Sequence, residues 1–289
     1  MAFPRITRDP AVREARFAGT WYPSAAPTLR HTIEEQLAHV QPVKLPGRPL
    51  ALVSPHAGHR FSGPVAVHAY AQVRDLDINR VVLMGPLHGP IWGSEMGEFM
   101  APSERIFTTP LGQVPVDTEF LSELSQRAPL AFVHNDQEHS LEIELPFLQV
   151  ALGAFTLVPL MMGVDIGDPG VPQSLDDLAA VLADLADEHT LFVASTDLSH
   201  LHNYKDVVRT DQRMVELVDA FDLPKLVTAL VQREVYACGA TALVTALSAA
   251  HKRGAAGARV LSCLNSGDIT GDKRPGNYTV GYLAAVAYG

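Results

Sequence analysis

The stretch Ser54-Pro55-His56-Ala57-Gly58-His59 sets two imidazoles directly after a short apolar run, Leu50 to Val53. Such a run makes a buried strand. Pro and Gly then end it, because Pro cannot donate to a ladder and Gly accepts backbone angles that other residues avoid. The pattern recurs. Arg80 to Met84 leads into Gly85-Pro86-Leu87-His88, and Thr190 to Ala194 leads into Ser195-Thr196-Asp197-Leu198-Ser199-His200. Cys238 stands where a helix over Ala240 to Ala250 is expected to begin, and a helix dipole there favours the thiolate. His139 sits in a polar knot, Asp136 to Glu142, ahead of an apolar helix. Imidazole, thiolate and carboxylate together are a transition-metal donor set. Three protein donors with open positions describe a catalytic metal site, whereas a structural zinc site is closed by four.

Each residue also has a purely structural reading. His56 and His88 can cap turns, Asp197 and His200 can be a capping pair, and His139 can anchor its loop. Cys238 can be a small buried hydrophobe, as free Cys usually is. The coincidence of several reactive residues at strand ends carries more weight than any one of them. Other chemistries fit less well, since the chain has no G-x-S-x-G elbow, no P-loop, no G-x-G-x-x-G after a strand and no HExxH. A metal-free nucleophilic pair, Cys238 with His56 or His200, stays open.

The elements that must position these residues alternate strand and helix almost throughout. This predicts one α/β domain over 1–289, with a central mixed or mostly parallel sheet flanked by helices. His56 and His88 follow consecutive strands, which right-handed crossovers often set side by side. Residues 1–12 read as a loose arm, and the aromatic cluster Phe17 to Pro23 as an anchoring loop or a pocket wall. Ser24 is expected to cap a helix beginning near Pro27, and Ser140 the helix over 143–152. Helices are expected over 62–74 and 172–188, from Asp117 through Leu124, and over 204–232 with a break near Asp222. A β-excursion is expected over 94–116. Strands over 259–264 and 278–287 enclose a flexible loop, Gly267 to Gly276.

The bulk numbers narrow the function classes. A chain of 289 residues that is 47% hydrophobic and 19% charged buries a large core and is not disordered. A net charge of −10 argues against nonspecific binding to nucleic acid or anionic lipid. The two cysteines, Cys238 and Cys263, form no CxxC pair, which excludes a zinc ribbon or thioredoxin-type site. No apolar run reaches the length of a membrane span, and the first residues lack the apolar core of a secretion signal. The expectation is a soluble protein of the cytoplasm, with no nucleic-acid or membrane partner.

The motifs together resemble the Memo family, whose bacterial and archaeal members are called AmmeMemoRadiSam system protein B. The resemblance runs from Ala18-Gly19-Thr20-Trp21-Tyr22 through Pro55-His56-Ala57-Gly58, Gly85-Pro86-Leu87-His88 and Glu138-His139-Ser140-Leu141-Glu142 with Leu145-Pro146. It continues through Ser195 to His200 and Ala237-Cys238-Gly239 to Val280-Gly281-Tyr282. It implies a fold similar to class III extradiol dioxygenases, with metal ligands at His56, His88 and Cys238. It implies iron or copper as the metal, with zinc also compatible, and redox, dioxygenase-like chemistry on an unassigned small molecule or peptide. His200, held by Asp197, and His139 are then the acid/base or orienting groups, and a pathway link to a radical-SAM enzyme is implied. The rival from another class is a non-catalytic peptide- or metal-binding protein using the same cleft, with Trp21 and Tyr22 on its rim. The chain departs from the family pattern at His59, where an aromatic residue is common, and at Gly89, where a second His is common. It departs from the ring-cleaving dioxygenases in offering a thiolate where they carry a carboxylate. His59 is accordingly a candidate pocket imidazole.

Overall fold

The computed structural model describes residues 11–89 and 99–289. Most of the arm expected over 1–12, and residues 94–98 of the expected excursion, lie outside the described residues. In chain order the elements are β1 (Val12–Arg13), α1 (Ala26–Ala38), β2 (Pro49–Ser54), α2 (His59–Tyr70), β3 (Arg80–Pro86), β4 (Phe99–Pro102), β5 (Ile106–Thr109) and β6 (Gly112–Pro115). There follow α3 (Thr118–Arg127), β7 (Ala131–Val133), α4 (Leu145–Leu152), β8 (Thr156–Met162), α5 (Val171–Leu185), β9 (Thr190–Ser195) and β10 (Asp197–Leu201). The chain closes with α6 (Tyr204–Asp219), α7 (Leu223–Val231), α8 (Ala240–Lys252), β11 (Gly257–Asn265), α9 (Ser266–Thr270) and β12 (Thr279–Tyr288).

Among the described residues, nine strands form one mixed sheet in the order β10-β12-β2-β9-β3-β8-β4-β7, with β11 pairing β12. The central strands β2, β9, β3 and β8 run parallel. β12 joins β2, and β10 and β11 join β12, antiparallel, while β4 is antiparallel to β8 and parallel to β7. Parallel strands are covered on both faces, so they read as continuous apolar runs. Val81 to Met84 and Leu191 to Ala194 are accordingly all buried. Helices α1, α2 and α4 pack on one another, α5 and α7 each pack on α8, and both groups lean on the sheet. No helix among the described residues is long and apolar enough to cross a membrane.

Strands β2 and β3 are consecutive parallel strands of this sheet but not neighbours. β9 lies between them, with Phe192 registered against Ala51 on one side and Val82 on the other. The crossover from β2 therefore leaves a gap that a later strand fills. The result sets His56, the segment Ser195 to Asp197, and His88 along one carboxyl edge, where open α/β sheets put ligand sites.

Local chemistry explains several boundaries. Asp117 and Asp222 cap α3 and α7 by accepting from Phe120 N at 3.0 Å and Lys225 N at 3.2 Å. Ser24 does not cap α1. Its N-cap is Ala25, and Pro27 in the first turn already removes one orphan N–H donor. Helix α2 starts at His59, three residues before the expected start. Ser140 does not cap α4, which is entered through a 3₁₀ turn, Glu142–Glu144. Its hydroxyl instead donates to Pro86 O at 2.9 Å. That approach needs Gly85, because a Cβ there would lie 2.6 Å from Ser140 Oγ. The loop expected over Gly267 to Gly276 opens as the short helix α9, fixed by reciprocal bonds between Asn265 and Asp268.

Arg13 is the largest buried charge. It sits on β1, which pairs with β5 in a small second sheet. Its guanidinium meets Asp136 in a two-pronged contact at 2.8 and 2.9 Å and Glu142 at 2.7 Å. Glu142 also accepts from Tyr22 Oη at 2.7 Å and Phe17 N at 2.8 Å. Removing one partner of a buried pair leaves uncompensated charge. Arg13→Ala is expected to lower unfolding free energy by about 3–5 kcal/mol, read from urea midpoints. Arg13→Lys is expected to recover little of it, because an ammonium cannot reproduce the planar fork.

Candidate metal centre

The strand-end turns bring His56, His88 and Cys238 together. One donor atom from each lies within 4.8 Å of the others. His56 Nε2 is 3.3 Å from Cys238 Sγ, and the rings of His56 and His88 stand nearly perpendicular, 5.2 Å between centroids. No other group among the described residues combines two imidazoles with a thiol in this way.

Each imidazole has its other nitrogen engaged. Glu138 Oε1 accepts from His88 Nδ1 at 3.0 Å, and Glu138 Oε2 accepts from His88 N at 2.6 Å. His56 Nδ1 is 2.8 Å from Ser195 Oγ, whose own proton goes to Ser140 O at 2.7 Å. Ser195 therefore accepts from His56. Both rings are thereby held with Nδ1 protonated and the Nε2 lone pair free, the arrangement a metal requires.

Glu138 works as a hub. It also accepts the amides of His139 and Ser140, each at 2.8 Å. Burial pushes its carboxyl up, but the His88 ring and these amides outweigh that and hold it at about 2. Glu138 stays ionised, with both oxygens occupied. The grouping of His88, Glu138 and His139 is thus an orienting shell for His88. His139 stacks on His88 at 4.4 Å and lies against Trp21 at 4.4 Å. Burial holds its imidazole down to about 4, neutral at ordinary pH.

Asp197 and Cys238 differ from expectation. Asp197 does not hold His200. Its Oδ1 accepts from His56 N at 2.9 Å and Ala57 N at 3.3 Å, so it shapes the His56 turn. His200 is exposed and pairs with Tyr278 Oη at 2.8 Å. The two residues stand three apart on a strand, where alternation sends side chains to opposite faces, and a bulge separates them. Burial pushes the Asp197 carboxyl up to about 7 despite those two amides. The Cys238 thiol is not lowered by the helix behind it. Loss of solvent raises it and the Asp197 charge adds to this, outweighing bonds from Asp197 N–H and Thr196. Helix α8 starts only at Ala240, after an N-cap at Gly239. Gly239 is required by close approach, since a Cβ there would lie 2.6 Å from Ser195 O.

His59 is not a pocket imidazole. In the first turn of α2 its ring turns inward, with Nε2 donating to Ile143 O at 2.9 Å. It stacks on Tyr22 and lies against Phe147. Tyr22 is likewise buried and off the rim. Trp21 does line a cavity of about 540 Å³ beside the His56 turn, with Gly58, Arg60, Phe61 and Tyr278. Ser195 and Glu138 are the site residues that sequence reasoning passed over. The sequence pattern shows Ser195 only as a strand-end residue and Glu138 only as part of the polar knot. The readable signals are the place of Ser195 at a strand end like that of His56 and of Glu138 beside His139 in the polar knot.

The family profile described as Memo-like protein matches residues 13–286. A MEMO1 family protein of Thermotoga maritima is 33% identical over 98% of this chain and 100% of its own length. A MEMO1 family protein of Methanopyrus kandleri is 30% identical over 97% of this chain and 99% of its own. One from Methanococcoides burtonii is 30% identical over 95% and 99%.

The His59 environment has a pH signature. Burial lowers its folded pKa from 6.5 to about 4. Between these values the unfolded chain binds the proton and the fold does not, so stability is complete above 6.5 and falls as pH drops toward 4. The loss from this residue is about 3 kcal/mol. His59→Gln is expected to flatten that limb of a denaturation-against-pH curve. An unchanged limb counts against the assignment.

Proposed function

The chain belongs to the Memo family, and from that footing we propose that it holds one transition metal between His56, His88 and Cys238 for redox chemistry on a small molecule or peptide. The observation that carries this reading is the meeting of donor atoms of His56, His88 and Cys238 within 4.8 Å, each ring pinned from behind through Nδ1. Two imidazoles and a thiolate suit copper, iron or zinc, with sulfur favouring the softer ions. A bound iron or copper ion supplies electron transfer and an open coordination position. The chain supplies the rest. Asp197 positions the His56 turn, and Glu138 strengthens His88 as a donor. Substrate enters from the cavity lined by Trp21, Phe61 and Tyr278. His139 and His200 stand at the centre and near its mouth as neutral imidazoles able to take up a proton.

A metal-free Cys-His pair is the second reading, favoured by the 3.3 Å contact between Cys238 Sγ and His56 Nε2. Its weakness is electrostatic. A nucleophilic thiol needs a lowered pKa, whereas loss of solvent raises this one. Rapid alkylation of Cys238 in metal-free protein, with activity unaffected by chelators, would favour the pair over the metal.

Anaerobically purified protein is expected to bind iron or copper one-to-one by elemental analysis. His56→Ala is expected to abolish stoichiometric uptake while its circular dichroism stays native. One-to-one binding by that variant overturns the ligand assignment. Glu138→Gln puts an amide where four N–H donors converge, and is expected to weaken metal affinity by about 10–100-fold in a competition titration.

A further inference from the structure

Glu144 is a fully buried carboxyl that does not touch the proposed ligands. It ends the 3₁₀ turn ahead of α4. Tyr70 of α2 donates to its Oε2. Ser195 Oγ, at the end of β9, is 3.1 Å from its Oε1. Ser54, at the end of β2, also lies beside it, and Asp197 is the facing like charge.

The hydroxyl of Ser195 has one proton and three partners: His56 Nδ1 at 2.8 Å, Ser140 O at 2.7 Å and Glu144 Oε1 at 3.1 Å. Ser140 O can only accept, so it takes that proton. His56, with Nε2 turned to the centre, donates from Nδ1. A proton on Glu144 lets its carboxyl donate to Ser195, so that the one Ser195 hydroxyl serves all three partners at once. An ionised Glu144 would compete with Ser140 O for a single hydrogen in a site closed to solvent. Burial acts the same way, raising the carboxyl to about 8 against the opposing pull of the neighbouring Tyr70, Ser54 and Ser195 hydroxyls.

We propose that Glu144 is the proton reservoir of the centre, neutral while the metal is absent and ionised when a cation sits among His56, His88 and Cys238. The inference rests on the metal-binding reading above. Uptake of a dication with loss of the Cys238 proton adds one net positive charge beside a neutral acid. The Glu144 proton then leaves to solvent, Ser195 swings its hydroxyl from Ser140 O to Glu144 Oε1, and Tyr70 continues to donate to Oε2. The balance is one dication in and two protons out, one from sulfur and one from Glu144. Glu138 has none to give, since it is already ionised. Any proton held by Asp197 is common to wild type and variant.

The test is calorimetric titration with Zn(II), a redox-silent probe, near pH 7 in buffers of different ionisation enthalpy, which counts protons released. Wild type is expected to release about one proton more per zinc than Glu144→Gln. Infrared difference spectra are expected to lose a protonated-carboxyl C=O band on zinc binding, absent in that variant. Equal proton counts overturn the proposal. Where Glu144→Gln does not fold, Tyr70→Phe carries the test. Without its donor the ionised carboxylate is disfavoured, and the extra proton is expected to stay bound; release equal to wild type overturns the proposal. Failure of wild type to take up zinc one-to-one defeats the metal centre itself, whereas uptake with equal counts defeats only the role of Glu144.

Discussion

A guanidinium buried between two carboxylates holds the centre in shape. Taking Arg13, Asp136 and Glu142 out of water costs several kcal/mol per ion, offset only by close, multiply bonded geometry. Here that geometry anchors the segment at Asp136 and Glu142. On that segment ride Glu138, which orients His88, then His139, then Ser140, which ties Pro86 and Ser195, and finally Glu144. Neither the ends of the central strands nor the helix behind Cys238 supplies these groups. The apolar core sets the strand ends in a row, and the ionic knot decides what stands behind each ligand.

The two imidazoles are consequently unequal. His88 leans on an ionised carboxylate and is partly exposed. His56 leans on a hydroxyl and is buried. The anionic partner makes His88 the stronger donor, while His56 answers to the protonation of a carboxyl one hydroxyl away. A centre of this kind has one stiff ligand and one adjustable ligand.

The sheet was legible because each central strand is a short apolar run stopped by Gly or Pro, and the residues at those stops are the ones that converge. The site behind them was not. Arg13 meets its partners 123 and 129 residues along the chain, and no local periodicity records such a pairing. The pairing of Asp197 with His200 fails because residues three apart on a strand face opposite ways, however close they stand in sequence. His59 leaves the pocket because the helix it opens starts earlier than the expected 62–74, which turns the ring into the core. Cys238 does meet His56 and His88, but its thiol is raised instead of lowered, since desolvation exceeds the pull of a helix that begins two residues later.

The insertion of β9 between β2 and β3 has one more consequence. Neighbouring strands stand about 4.8 Å apart, so the backbones bearing His56 and His88 are separated by about 10 Å. The sheet is thus a caliper whose opening is set by hydrogen-bond spacing. Loops can drift or lengthen, yet the jaws cannot, because moving them would mean unpairing a buried strand on both sides. Only side chains with the reach of an imidazole can meet across such a span, and an Asn or Ser at either position would fall short. The chain can therefore vary widely around its centre while the width between the two histidines stays the same.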